Sequence, residues 1–319
     1  MIPPQNHQSE PRFSRRQTLL AAAALGCGFA TGAVGQTAKP LQQKIRFGFS
    51  LYGMKQLPWA EALKVCASIG YDCVELALLA GYPTDPQQLG KTDRQALRKR
   101  LEDNKLSLAG LMENLPFSSA AAQHRRNLER LKHAIELAND LAANQLAPIE
   151  TILGGRPGQW ESIRGLLVEQ LRDWVKLAAI ANVPIAVKPH VGNAMRTPEA
   201  VRWLLDQIKS PWLKLAFDPS HFALQQIPLK TSAELLADTV FIHVKDAEGT
   251  PEKFRFLLPG EGNTDYTAYF KVLKGKEYQG PVVVEVSSMI FNQAGYDPKA
   301  AAERCYAKLA PCFVAAGLR

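Results

Sequence analysis

Charged and imidazole side chains recur where the short apolar runs of this 319-residue chain end. Glu75 lies within Cys73–Leu78, Glu113 and Asn114 follow Leu106–Met112, and Lys188 and His190 follow Val183–Val187. Asp218 and His221 come after Leu213–Phe217, His243 and Asp246 belong to the end of Val240–Val244, and Glu285 lies within Val282–Val286. Two further runs, Ile45–Leu51 and Leu146–Leu153, bring Tyr52, Thr151 and the Gly154-Gly155 turn. Strands buried on both faces are almost wholly apolar. A carboxylate, ammonium or imidazole at six of eight ends is therefore more than packing requires. Carboxylates beside a cation or an imidazole can move protons, hold a metal ion or stabilise a developing oxyanion.

The elements that would bring these residues together follow from periodicity. The eight runs are short, rich in β-branched residues and often entered after Gly, Asn or Pro, which predicts strands. Amphipathic stretches separate them: Trp59–Ala67, Arg125–Leu141, Glu161–Ala181, Thr197–Ile208 and Pro298–Ala316 show helical spacing of apolar residues. Thr197 is placed to cap its helix, with Pro198 in the first turn. Strand and helix alternate about every 30 residues, which predicts an α/β fold, a single (βα)₈ barrel over residues 39–319. A doubly wound open sheet would be expected to carry a glycine-rich first turn, and Phe49-Ser50-Leu51-Tyr52-Gly53-Met54 is not one. In such a barrel, chemistry gathers at the C-terminal ends of the strands, where the charged residues fall.

Four phrases in order carry a resemblance: Phe217-Asp218-Pro219-Ser220-His221-Phe222, Ile242-His243-Val244-Lys245-Asp246, Pro259-Gly260-Glu261-Gly262 and Val283-Val284-Glu285-Val286. With Phe49-Ser50-Leu51-Tyr52 and Gly70-Tyr71-Asp72-Cys73-Val74-Glu75-Leu76, they resemble the sugar phosphate isomerase/epimerase group of xylose-isomerase-like barrels. That resemblance implies proton abstraction next to a carbonyl, through an enediolate, on a sugar-like substrate. It also implies a divalent cation (Mn²⁺, Mg²⁺, Co²⁺ or Zn²⁺) held by Glu, Asp, His and Glu after the fifth to eighth strands. Carried over, Asp218, His243 and Glu285 match the metal ligands, but the first Glu falls on Lys188, and an ammonium has no lone pair to give.

Three accounts of Lys188 stay open. A metal binds through Asp218, His243 and Glu285 with His190 or His221 completing the set, or Lys188 is itself a catalytic electrophile or base. In the third, Lys188 merely forms a salt bridge to Glu285 or Asp218. Glu285, the remaining carboxylate of the family's pair, is the candidate catalytic base. Glu75, Glu113, His190, His221 and Asp246 are candidates for contact with substrate, Asp246 alternatively orienting His243. Glu150 would replace the missing carboxylate if it points inward. The competing reading is a non-catalytic carbohydrate-binding barrel whose metal site is lost. Nuclease chemistry, also found among xylose-isomerase-like barrels, needs histidines near the second and third strands, and none occurs between His7 and His124.

Residues 1–38 read as a cleavable export signal: Arg15-Arg16, an apolar stretch from Ala21 to Ala33, then small residues. The arginine pair resembles the twin-arginine signal, which implies the Tat export machinery as a partner and a periplasmic protein. Leu25-Gly26-Cys27 partly resembles a lipobox, so a lipid anchor at Cys27 is the weaker alternative. Beyond the leader no apolar stretch is long enough to span a membrane. The formal charge is +8, of which the leader supplies +2. The rest is spread over runs such as Arg98-Lys99-Arg100 beside acids, a solvated helix face rather than a nucleic-acid stripe. No C-x-x-C occurs, and Cys305 and Cys312 are about 10 Å apart along one helix, too far for a disulfide.

Overall fold

The computed structural model describes residues 45–141 and 147–319. The expected leader, with its arginine pair and Cys27, lies outside the described residues. Eight parallel strands close into a barrel: β1 (Phe47–Ser50), β2 (Cys73–Ala77), β3 (Ser107–Met112), β4 (Ile149–Ile152), β5 (Ile185–Lys188), β6 (Leu213–Phe217), β7 (Thr239–Val244) and β10 (Val282–Val284). Closure is made by β1, which pairs with β2 on one side and β10 on the other, Phe49 lying opposite Val74 and Val284. All eight strands lie where periodicity predicts them, with ends differing by a few residues.

The outer ring includes α1 (Trp59–Ile69), α2 (Lys91–Asp103), α3 (Ala121–Leu141), α4 (Trp160–Ala181) and α5 (Pro198–Ile208). After β6 come the short helices α6 (Pro219–Ala223) and α7 (Leu229–Ser232), and later α8 (Tyr266–Gly275), α9 (Ser288–Phe291) and α10 (Pro298–Ala315). Thr197 accepts the Ala200 N–H at 3.3 Å and begins α5 with Pro198 in its first turn, as its residue type predicts. The charged run on α2 is a solvated face, with Arg98–Glu102 and Lys99–Asp103 paired one turn apart. The four cysteines of the described residues are free. No helix among these residues is long and apolar enough to cross a membrane.

Strand parity explains how the barrel positions charge. Its interior begins as a small-residue layer of Cys73, Ala109, Ala186, Ala216 and Val283 around the ring of Phe241. Gly110 must lack a side chain, because a Cβ there would lie 2.8 Å from that ring. Side chains on a strand return to the same face every second residue. One pleat above Cys73, Ala186, Ala216, Phe241 and Val283 therefore stand Glu75, Lys188, Asp218, His243 and Glu285. An apolar plug supports a layer of charge.

The chain between β7 and α8 differs from the sequence expectation. It forms an antiparallel hairpin, β8 (Asp246–Thr250) and β9 (Lys253–Leu257), which periodicity did not mark as strands. Phe254 and Phe256 of β9 reach the mouth of the barrel.

Candidate active site

Four carboxylates and two ammonium groups meet above the plug. His243 holds the centre: its Nε2 lies 2.8 Å from Glu75 Oε2, and its Nδ1 lies 3.0 Å from Lys188 Nζ. An ammonium can only donate, so Nδ1 accepts and Nε2–H donates to Glu75, which fixes a neutral tautomer from the network. Glu75 also accepts from the Ser50 hydroxyl, leaving its Oε1 buried without a partner. Lys188 Nζ lies 3.1 Å from Glu150 Oε1 and 3.4 Å from Glu285 Oε2. Lys245 Nζ lies 2.6 Å from the same Glu285 oxygen and also contacts Asp218 Oδ2. The Ser220 N–H and hydroxyl donate to Asp218 Oδ1, at 3.0 and 2.6 Å.

Burial sharpens these pairings. Desolvation disfavours charge on Lys188, yet Glu150, Glu285, Asp218 and Glu75 outweigh it and raise its pKa, so it stays an ammonium. Burial pushes Glu285 upward too, but Lys188, Lys245 and His243 prevail and hold its carboxyl well below the usual carboxylate range. Glu150 goes the other way: burial raises it, and Lys188 offsets only part.

A cavity of about 270 Å³ opens above this layer at the C-terminal ends of the strands. Glu150, Lys188, Lys245 and Glu285 form its charged floor, with Tyr52 and Phe256 among its walls. A larger depression of about 680 Å³ at the opposite mouth is lined by residues such as Ser107, Pro148 and Pro281, away from the charged layer.

The residues singled out from sequence divide into two groups. Lys188, His190, Glu113 and Glu285 line the cavity. Glu75, Asp218, His221, His243 and Asp246 are fully buried. None of Glu75, His221 and Asp246, expected to contact substrate, lines this cavity, and each keeps one buried side-chain atom without a hydrogen-bond partner: Glu75 Oε1, His221 Nε2 and Asp246 Oδ1. His221 Nδ1 accepts the Val191 N–H at 3.4 Å. Asp246 Oδ2 accepts from Gly260 N and Gly262 N at 2.7 and 3.0 Å, so it braces the loop after β9 and makes no contact with His243 that would orient it. Glu113 lines the cavity, but its Oε2 is held at 2.6 Å by Arg130, whose guanidinium also bridges to Asp85.

Lys245, which had no sequence-assigned role, and Glu150, whose role hung on its pointing inward, both belong to the floor. Lys245 follows His243 by two positions, so parity alone aims it inward, one layer higher. Glu150 is the inward residue of β4, and Thr151 is not: the Thr151 hydroxyl oxygen accepts the Leu115 N–H at 3.0 Å.

The donor set argues against a divalent ion among Asp218, His243 and Glu285. Lys245 contacts both carboxylates, and Lys188 takes the imidazole lone pair. At an effective dielectric of about 20, a dication about 3 Å from one ammonium is repelled by about 10 kcal/mol. A second set, Glu75, Glu150 and His243, offers ligand atoms within 4.8 Å of one another, a spacing that can hold a metal ion. In the geometry described, both imidazole nitrogens of that set are already engaged, one by Lys188.

Comparison with known proteins agrees with this architecture. The chain is 26% identical over 249 residues to a putative L-ribulose-5-phosphate 3-epimerase of Escherichia coli K12, covering 73% of this chain and 85% of that one. Its structure is similar to that of 3-keto-D-glucoside 4-epimerase from E. coli, with TM-score 0.67, 15% identity, and coverage of 84% of this chain and 100% of that one. It is also similar to the IOLI protein with a binding zinc atom, with TM-score 0.70, 17% identity, and coverage of 84% and 99%. The family described as xylose isomerase-like TIM barrel matches residues 63–307, and the chain belongs to that family.

Proposed function

We propose that the chain is an enzyme of the isomerase class, a sugar isomerase/epimerase that removes a proton from the carbon beside a carbonyl. The observation that carries this reading is the arrangement Glu150–Lys188–Glu285: two carboxylates flank one ammonium, 3.1 and 3.4 Å away, on the floor of one cavity. Glu285 is the base that takes the C–H proton. Two ammonium groups and the His243 imidazole gather at its Oε2, and Oε1 is not among these contacts. Glu150, raised by burial, holds a proton more readily and serves the opposite face of the substrate. Together they supply the two-carboxylate scheme that a lysine at position 188 interrupts in the sequence pattern. Epimerase names among the sequence relatives and structural neighbours support this chemistry.

As substrate class we propose a free sugar, a cyclitol or a keto-glycoside, on the expectation that residues 1–38 are a Tat signal that carries the enzyme to the periplasm, away from phosphosugars. The test is exchange of substrate α-protons in D₂O, followed by NMR over a panel of keto-sugars, inososes and 3-keto-glycosides. Exchange with at least one panel member is expected, and Glu285→Gln and Glu150→Gln should each slow it by about 10²–10⁴-fold. Thermal stabilisation by panel members without exchange would instead support a carbohydrate-binding barrel. Full exchange in Glu285→Gln would remove that residue from the role of base.

A further inference from the structure

We infer that Lys188 and Lys245 together take the place of a divalent cation, so that the site polarises a carbonyl oxygen with two ammonium groups and no bound metal. The inference rests on the isomerase reading above and concerns how that same site holds its oxyanion.

The contacts carry it. A metal among Asp218, His243 and Glu285 needs a free lone pair from each. Asp218 gives one oxygen to Ser220 and the other to Lys245. His243 gives Nδ1 to Lys188 and its Nε2 proton to Glu75. Glu285 Oε2 meets both ammonium groups. The imidazole lone pair is taken by Lys188, and one oxygen of each carboxylate already faces an ammonium, so the two lysines supply the positive charge in the ion's stead.

Neither lysine is a stray surface residue folded inward. Both are buried, both line the cavity floor, and Lys245 is seated 4.8 Å from the centre of the Phe256 ring, a favourable place for a cation. Lys245 has three protons and two carboxylate partners, which leaves one N–H for the cavity. A carbonyl oxygen placed there accepts that N–H while Glu285 takes the neighbouring C–H proton. The C–H electron pair becomes the new C=C bond and the carbonyl π pair moves onto oxygen, giving an enediolate held by ammonium protons. Returning the proton to the same carbon on its opposite face restores the carbonyl and gives the epimer. Returning it to the former carbonyl carbon gives the isomer, with the α-hydroxyl proton passing to the enolate oxygen. Neither route needs an oxidant or reductant. Ammonium groups do here what a Lewis acid does elsewhere.

The test separates this inference from the function itself. The purified full chain is dialysed against Mn²⁺, Co²⁺ and Zn²⁺ in turn and its metal content measured. Less than about a tenth of an equivalent of each should remain, because the His243 lone pair is taken by Lys188 and two ammonium groups already occupy the layer. The double variant Lys188→Glu/Lys245→Met removes both ammonium groups and restores a carboxylate as the fourth ligand beside Asp218, His243 and Glu285. It should bind close to one equivalent of Mn²⁺ or Co²⁺ and show a metal-dependent Tm rise of about 5 °C. One equivalent in the wild-type chain overturns the inference, and so does a folded double variant that still binds none. If the variant does not fold, the wild-type measurement decides alone. Either result leaves the α-proton exchange assay of the unmodified enzyme to judge the isomerase reading.

Discussion

His190 shows how strongly the charged floor acts on a single side chain. Its ring packs against that of His221 at a tilt of 47° with centroids 4.1 Å apart, and its Nδ1 accepts the Gly192 N–H at 3.0 Å. Burial, then Lys245 and Lys188, push its pKa down to about 4, against weaker support from Glu285 and Asp218. The unfolded chain, with an imidazole near 6.5, binds a proton between these two values where the folded protein does not. Stability from this group is therefore complete above pH 6.5 and is lost as pH falls toward 4, by at most about 1.4 kcal/mol per pH unit. His221, also held well below the ordinary value by burial, adds to the same trend, whereas raised Glu150 opposes it. The variant comparison isolates the effect: Tm of His190→Gln should fall less than wild-type Tm between pH 6.5 and 4.5. Parallel curves would show that His190 takes up its proton without cost. At this scale the sequence was only partly legible. Glu285, Asp218 and His243 stand out because a charge interrupts an apolar strand. Lys245 did not, since it lies one residue past its strand and looks like the start of a loop. Glu150 was hidden by parity, because a four-residue strand between Pro148 and Leu153 offers too few alternations to say which neighbour faces inward.

The element that most affects access to the site is the β8–β9 hairpin. It carries Phe254 and Phe256 to the cavity, and its return is pinned by Asp246, which accepts two backbone N–H groups from the Gly260–Gly262 loop. Gly262 is required there, because a Cβ would stand 2.9 Å from Asp246 Cβ and Cγ. Gly262→Ala should loosen the hairpin while leaving the barrel intact, at a cost of about 1–3 kcal/mol for the strained or broken hydrogen bonds. Hydrogen exchange would read it: amides of residues 247–257 should lose protection and those of β1 to β6 keep theirs. Unchanged protection in the hairpin would mean that Asp246 is not its brace. The hairpin also marks the limit of periodicity. Eight strands were legible because both of their faces are buried, which writes a continuous apolar run. Asp246-Ala-Glu-Gly-Thr and Lys253-Phe-Arg-Phe-Leu are solvent-exposed along much of their length, and their alternation is too short and too polar to separate from loop.

The barrel closes where its two ends in sequence meet, at the β1–β10 seam. One residue near that seam ties several elements together. The Arg319 guanidinium, beyond α10, donates to the Tyr306 hydroxyl at 2.7 Å, to Gly70 O at 3.1 Å and to Asp72 Oδ1 at 2.8 Å. Asp72 in turn accepts the Phe47 N–H through Oδ2 at 2.9 Å, so the chain linking α1 to β2 and the first residue of β1 depend on the same group. Strand pairing between neighbours in sequence forms through local contacts, but closure brings together segments far apart along the chain, and its loop entropy must be met by contacts of this kind. The guanidinium is only partly buried, 14% exposed against 32% for Asp72, so solvent screening reduces what the ion pair contributes. Arg319→Ala should destabilise the protein by about 1–2 kcal/mol, lowering Tm by about 3–6 °C. Arg319→Lys should recover little of this, because one ammonium cannot reach three acceptors with the planar fork of arginine. Differential scanning calorimetry of the two variants reads both effects. A lysine variant as stable as wild type would show that charge near Asp72, and not the shared hydrogen bonds, fastens the barrel at its seam.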